Sequence, residues 1–323
     1  MTDIFSIQNA NQFNEYAFET FRFQYLHNEV YQQFCSLIKV NPNNINTIEQ
    51  IPFLPIDFFK SHQIITKSSA VQTTFLSSGT TGNSQSKHLV ADLELYQKSY
   101  TKGFEYFYGN ISDYVILALL PSYLEREGSS LIYMVEDLIK KTAHTDSGFY
   151  LYNHEELANK LTQLEQKKQK TLLIGVPYAL LDFLETYSFR LKNTIVMETG
   201  GMKGKRKELI RAELHQILCQ GFGTESIHSE YGMTELLSQA YSKGNGVFDT
   251  PPWMKILIRD TQNPLENIGI GKTGGINVID LANRNSCSFI ATQDLGRKHN
   301  DTQFEVLGRF DHSQIRGCNL MIV

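Results

Sequence analysis

The sequence predicts an α/β protein in which parallel sheets flanked by helices are followed by a β-rich C-terminal third. Three observations predict it. Between Asp92 and about Gly200, short apolar runs alternate with amphipathic stretches, the pattern of strands buried beneath crossover helices. After about Gly223 the chain changes to short β-like pieces joined by Gly, Asn, Asp and Pro turns. Its 323 residues suffice for about two lobes, expected at 1–222 and 223–323.

The elements follow in order. Phe13, Tyr16, Ala17, Phe21, Tyr25 and Val30 keep a helical stripe from Ala10 to about Val40. Ile51-Pro52-Phe53-Leu54-Pro55 cannot continue a helix and reads as an extended connector. Leu93–Phe107, Ser129–Lys141, His154–Gln169, Tyr178–Tyr187 and Lys205–Cys219 read as helices. Asp113–Leu120, Phe149–Tyr152, Thr171–Val176 and Thr194–Met197 read as strands between them. Met254–Ile258, Gly275–Ile279, Ser288–Ala291 and Phe304–Leu307 are the β pieces of the last third. The aromatic residues around Tyr100–Tyr108 read either as core or as the wall of an acyl tunnel.

Composition excludes several classes. A hydrophobic content of 41% and a charged content of 20% are those of a soluble globular protein. A net charge of −4 gives no footprint for nucleic acid. The N-terminus lacks a secretory pattern, and the longest apolar runs, Tyr114–Pro121 and Leu172–Leu184, are too short or interrupted to span a bilayer. Cys35, Cys219, Cys287 and Cys318 show no paired metal spacing, so free thiols in a reducing cytoplasm are expected.

The segment Ser77-Ser78-Gly79-Thr80-Thr81-Gly82 is composed of small and hydroxylated residues that cannot build a core. Its glycines permit close backbone approach, and successive N–H groups in such a turn form a nest for phosphate. The alternative is a Ser/Gly linker. In Tyr231-Gly232-Met233-Thr234-Glu235, a buried strand would end at Tyr-Gly and leave Thr234 and Glu235 at the carboxyl end of a sheet, where α/β proteins bind ligands. Thr234 there suits a phosphate oxygen and Glu235 suits Mg²⁺; the alternative is a helix cap by Thr234. Asp294, in Gln-Asp-Leu-Gly-Arg, suits two ribose hydroxyls, and Arg309, in Gly-Arg-Phe-Asp, suits ribose or phosphate oxygens. The alternative there is a hairpin with a surface ion pair. Gly269–Gly274 matches the dinucleotide fingerprint letter for letter, but no strand precedes it and no helix follows, so it reads as a turn between strands.

The order Ser-Ser-Gly-Thr-Thr-Gly, Tyr-Gly-Met-Thr-Glu, strand-borne Asp and Gly-Arg-x-Asp resembles the adenylate-forming superfamily. Within it, Ile51–Lys60, Pro121–Arg126 and Ile315–Met321 are most similar to the acyl-protein synthetases of bacterial bioluminescence, the long-chain-fatty-acid–luciferin-component ligases. Phenylacetate–CoA ligases are more distant. The resemblance implies that Ser77, Ser78, Gly79, Thr80, Thr81 and Gly82 cradle ATP phosphates and that Tyr231 stacks on adenine within Tyr231-Gly232-Met233. It implies that Thr234 meets the α-phosphate and Glu235 holds Mg²⁺. Asp294 and Arg309 would hold the ribose, and Gly200 and Gly201 would floor the adenine or acyl group. Residues 1–222 become a nucleotide- and acyl-binding lobe and 223–323 a lobe completing the ATP site.

Two departures from the superfamily stand out. Asn83-Ser84-Gln85-Ser86 intervenes before Lys87 where Pro-Lys is usual. The chain also ends about a dozen residues after Asp311, which predicts absence of the C-terminal lid domain and its lysine. Lys87, Lys203, Lys205, Arg206 and Arg297 are then the cations that remain for adenylate formation. Cys318, near Arg316 and in a tail, is the expected acyl acceptor. The implied function is ATP-dependent activation of a fatty acid and transfer to a thiol for delivery to a partner, such as a reductase or biosynthetic enzyme. An acid–CoA ligase and a non-catalytic nucleotide-binding subunit are the alternatives. The oligomeric state is left open.

Overall fold

Asn28 divides what the aromatic stripe predicts as one helix. The computed structural model, which describes residues 3–67, 69–77, 85–121, 128–201, 206 and 209–310, has helix α1 at Ala10–His27 and α2 at Glu29–Leu37. Asn28 is extended between them, and its side chain accepts from Tyr31 N at 3.0 Å to cap α2. Its amide also donates to Ser286 O at 2.9 Å. A side chain that caps one helix and ties down a distant segment fixes the break.

The chain separates into two units, Met1–Ala70 with Pro252–Val323, and Val71–Pro251. The expected 222/223 boundary falls inside the second. In the first unit, β1 (Leu54–Pro55) and α3 (Phe58–Ser61) follow the two helices. The expected connector is thus a strand, and it pairs parallel with residues 290 and 291. Gln24 donates to the carbonyls of Asn283 and Arg284 and accepts from Ser288 N. Such pairings, more than 200 residues apart, join both chain ends into one core, in which Phe21, Tyr31, Phe53 and Phe289 pack ring against ring.

The second unit opens with the hairpin β2 (Thr73–Leu76) and β3 (Lys87–Val90), then α4 (Leu93–Tyr108). Strand β4 (Val115–Leu119), α5 (Ser130–Thr142), β5 (Gly148–Phe149), α6 (His154–Gln166), β6 (Thr171–Gly175), α7 (Pro177–Leu184), β7 (Thr194–Thr199) and α8 (Arg211–Phe222) alternate as the sequence predicts. β8 (His228–Tyr231), β9 (Ala240–Ser242) and β10 (Val247–Asp249) complete it. The sheet runs β10-β9-β8-β7-β6-β4-β5. β5, β4, β6, β7 and β8 run parallel to one another, and β9 pairs antiparallel with β8. β4 is buried along its whole length, as a parallel strand covered on both faces must be. Tyr96, Tyr100 and Phe104 of α4 are core residues, and the Tyr100 hydroxyl donates to Asp137 at 2.5 Å.

Returning to the first unit, β11 (Met254–Arg259), β12 (Asn267–Ile268), β13 (Thr273–Asp280), β14 (Phe289–Lys298) and β15 (Gln303–Arg309) form an antiparallel sheet ordered β12-β11-β13-β14-β15. The β-rich last third is therefore real, but it shares its unit with the N-terminal helices. No described helix is long and apolar enough to cross a membrane.

Candidate active site

In the second unit, parallel strands β7 and β8 end side by side, with Thr199 opposite Glu230 in register. Gly200 follows β7 with φ +74°, a left-handed conformation that suits glycine. Gly200 and Gly201 are exposed. β8 ends at Tyr231, and a tight turn closes with Leu236 N donating to Met233 O at 3.1 Å. Thr234 and Glu235 are the two central residues of that turn. The chain then runs into β9, whose Ala240 pairs with Tyr231. No helix follows, so the helix-cap reading of Thr234 does not apply. Glu235 is buried and Thr234 half-buried. Tyr231 is buried with its ring edge against Phe248, centroids 5.9 Å apart.

A second carboxyl lies under this turn. Glu230 accepts from the Thr199 hydroxyl at 2.5 Å. A Cβ on Gly232 would stand 2.4 Å from Glu230 Oε1, so glycine allows the carboxyl its place there. Burial pushes Glu230 up to about 7, against the lowering effect of the Thr199 bond and with the Glu198 charge adding to the rise. Glu198, on β7, lies 3.4 Å from both Arg211 Nε and His215 Nε2. His228 faces the Tyr108 hydroxyl at 3.2 Å. Burial, then the Lys243 charge, lowers His228 to about 4, so its imidazole is neutral at ordinary pH.

Ser77 closes the base of the β2–β3 hairpin: its Oγ accepts from Ser86 N at 2.9 Å and its N–H donates to Ser86 O at 3.1 Å. Ser78, Gly79, Thr80, Thr81 and Gly82 lie outside the described residues. One residue past Lys87, His88 is fully buried and its Nδ1 lies 2.8 Å from Thr234 O. The sequence alone puts His88 in a segment without a chemical partner. Only the alternation of β3, which buries His88 and Val90 and exposes Lys87, carries a signal.

In the first unit, Asp294 of β14 and Arg309 of β15 are directly opposite, and Arg309 Nε donates to Asp294 Oδ1 at 3.1 Å. Asp294 is buried and Arg309 exposed. The ladder slips between Leu295 and Gly296, next to the pair, and such bulges re-aim side chains. Buried Arg259 braces this region from β11. Its guanidinium donates to Ile276 O at 2.7 Å, Asn277 Oδ1 at 2.9 Å and Thr292 O at 2.5 Å, and it lies 5.4 Å from the Phe310 ring centroid. Thr292 Oγ1 in turn accepts from Asp294 N at 3.1 Å. Residues 269–272 form a turn from β12 into β13, the turn between strands that the sequence predicts; a two-residue strand does precede it, and Thr273 and Gly274 already belong to β13.

The structure sorts the cations and thiols. Arg206 donates to Asp182 and Glu185, and Arg297 donates to Glu305 at 2.6 Å. Lys87 is exposed; Lys203 and Lys205 lie outside the described residues. Cys35, Cys219 and Cys287 are free thiols. Burial raises all three, pushing Cys35 and Cys287 up to about 12. Cys318, Arg316 and Asp311 lie outside the described residues. Among the described residues there is no cluster of three or more His, Cys, Asp or Glu able to hold a metal.

This architecture is the adenylate-forming fold. A 2-hydroxyisobutyryl-CoA ligase, solved in the postadenylation state with 2-HIB-AMP, superposes with a TM-score of 0.65 at 11% identity, over 94% of this chain and 69% of that one. ATP-bound MatB from Rhodopseudomonas palustris superposes with a TM-score of 0.56 at 16% identity over 74% of this chain, which spans 48% of that one, about half its length. The LuxE acyl-protein synthetase family matches residues 4–323, and the chain belongs to it, which makes it an enzyme of the ligase class. A long-chain-fatty-acid–luciferin-component ligase of Vibrio harveyi is 26% identical over 327 residues, covering 93% of this chain and 84% of that relative.

Proposed function

We propose that the protein activates a fatty acid with ATP as an acyl adenylate and passes the acyl group to the Cys318 thiol, for delivery to an acceptor protein in the cytoplasm. Family membership supports the reaction class. The observation that carries the site assignment is the Thr234–Glu235 turn at the carboxyl end of β8, beside Gly200 and Gly201 at the end of β7. Ligands of open α/β sheets sit at such ends.

The chemistry follows from what the residues offer. A carboxylate oxygen of the fatty acid attacks the α-phosphorus of ATP; the bond to the β-phosphate bridging oxygen breaks and pyrophosphate leaves. Both reactants are anionic, so the protein's part is positioning and charge neutralisation. Ser77 to Gly82 would cradle phosphates, the Thr234 hydroxyl would donate to an α-phosphate oxygen, and Tyr231 would stack on adenine. Asp294 and Arg309 would grip ribose hydroxyls. The buried carboxylate of Glu235 fits Mg²⁺, which binds through one or two carboxylates plus substrate phosphates. When bound, that ion would neutralise charge on the phosphates. The Cys318 thiolate then attacks the acyl carbonyl; the bond to the AMP oxygen breaks, AMP leaves, and a thioester forms. The described thiols support Cys318 as acceptor, because burial holds all three protonated and the thiolate is the nucleophile.

The test is exchange of labelled pyrophosphate into ATP across a panel of carboxylic acids, with and without coenzyme A. Exchange is expected only with Mg²⁺ and an apolar acid of medium or long chain. Glu235→Gln is expected to lower it by about a hundredfold or more. Absence of exchange with every acid overturns the reading. Acyl-CoA formation in place of protein labelling makes coenzyme A the acceptor.

A further inference from the structure

We propose that His88 is a positioning residue that ties the Thr234–Glu235 turn to the hairpin bearing the Ser77–Gly82 loop. Its catalytic consequence rests on the function proposed above. His88 stands on β3, opposite Phe75 in register and two residues after Ser86, the partner of Ser77 at the base of that loop. It is fully buried, and its Nδ1 lies 2.8 Å from Thr234 O, 146 residues away in sequence. A carbonyl oxygen only accepts, so the imidazole must carry its proton on Nδ1.

The bond reaches a place that secondary structure does not secure. Thr234 lies in a turn, outside the β8–β9 ladder, whose pairs stop at Tyr231 and Ala240. Without His88, the half-buried Thr234 carbonyl would lose this donor, and removing one partner of such a bond costs more than the bond's net worth. Ser77 fixes one end of the hairpin loop and His88 fixes the turn to the strand that leaves it. Strand β3 thus holds in place the Thr234–Glu235 turn, whose side chains are proposed to act on the α-phosphate. In-line displacement tolerates little change in the position of such groups, because a misplacement of about 1 Å costs about a hundredfold.

Two variants separate this role from bulk packing. In His88→Asn the side-chain amide nitrogen stands close to the Nδ1 position; in His88→Gln it stands one bond farther out. The readouts are deuterium uptake by a peptide spanning residues 232–237 and the steady-state constants of acid-dependent pyrophosphate exchange. His88→Gln is expected to speed uptake in that peptide about five- to tenfold, the worth of one hydrogen bond. It is also expected to lower kcat about ten- to a hundredfold with KM for the fatty acid nearly unchanged. His88→Asn, which keeps a donor at the Nδ1 position, is expected to lose clearly less than His88→Gln in both. Wild-type uptake in His88→Gln overturns the proposal, as does equal loss in both variants. If no acid supports exchange in the wild type, the function fails while uptake still decides the anchor: faster uptake in His88→Gln alone upholds it.

Discussion

Cys35 and Cys287 are fully buried, and their thiols are pushed up to about 12, first by burial. Cys219 is raised by burial as well. At neutral pH all three are held as thiols, small hydrophobes rather than nucleophiles. Protein incubated with ATP, Mg²⁺ and labelled fatty acid is therefore expected to carry a label that neutral hydroxylamine releases, as it would a thioester. Cys318→Ser is expected to lose that label and keep pyrophosphate exchange, because adenylation precedes the thiol step. Cys219→Ser is expected to keep both. A Cys318→Ser protein that still labels moves the acceptor to another group.

The β11–β15 sheet depends on one buried cation at the scale of elements. Arg259 links β11 to backbone carbonyls on β13 and β14 and to Asn277, where the β13–β14 register shifts between Gly275 and Asn277. Gly275 is needed beside it, since a Cβ there would stand 2.5 Å from the Arg259 Cζ. Arg259→Leu takes a donor from three buried acceptors; Ile276 O keeps the Thr292 hydroxyl, and each acceptor left unpaired costs about 1–3 kcal/mol. It is expected to lower the urea midpoint without changing the slope. Arg259→Lys is expected to recover only part of the loss, because an ammonium lacks the planar fork that serves three acceptors. Equal midpoints for Arg259→Leu and wild type would refute this account of the sheet.

Glu230 makes stability of the whole molecule depend on pH. Folded, its carboxyl keeps a proton up to about 7; unfolded, it releases it near the ordinary 4.5. Between those values the folded state binds more protons, so this contribution is full below about 4.5 and is lost as pH rises through 7. A tenfold difference in proton affinity between the two states is worth about 1.4 kcal/mol. His228 acts in the opposite sense: lowered to about 4 from 6.5, it costs stability as pH falls through that window. Glu230→Gln removes only the first effect. Its Tm relative to the wild type is expected to rise between pH 5 and pH 8, while the His228 effect cancels in the difference. A pH-independent difference would mean that Glu230 titrates normally.

Several features are legible in the sequence because they depend on neighbours along the chain. The apolar runs Asp113–Leu120 and Thr171–Val176 form β4 and β6, since a strand buried on both faces must be continuously apolar. The flanks of the misleading glycines at 269–274 reveal a turn, and Tyr-Gly-Met-Thr-Glu reads as a strand end carrying a hydroxyl and a carboxylate. Other features rest on partners hundreds of residues apart, which no local pattern encodes. Asn28 breaks the first helix because it caps α2 while holding Ser286. The N-terminal helices share a unit with the last β strands because β1 pairs with β14. The proton that Glu230 retains and the bond from His88 to Thr234 likewise arise only when separate strands come together and exclude water. The sequence by itself determined which groups are available for the chemistry. The tertiary structure decided which of them are buried, paired and held in place, because burial and hydrogen bonding between distant segments are properties of the packed chain.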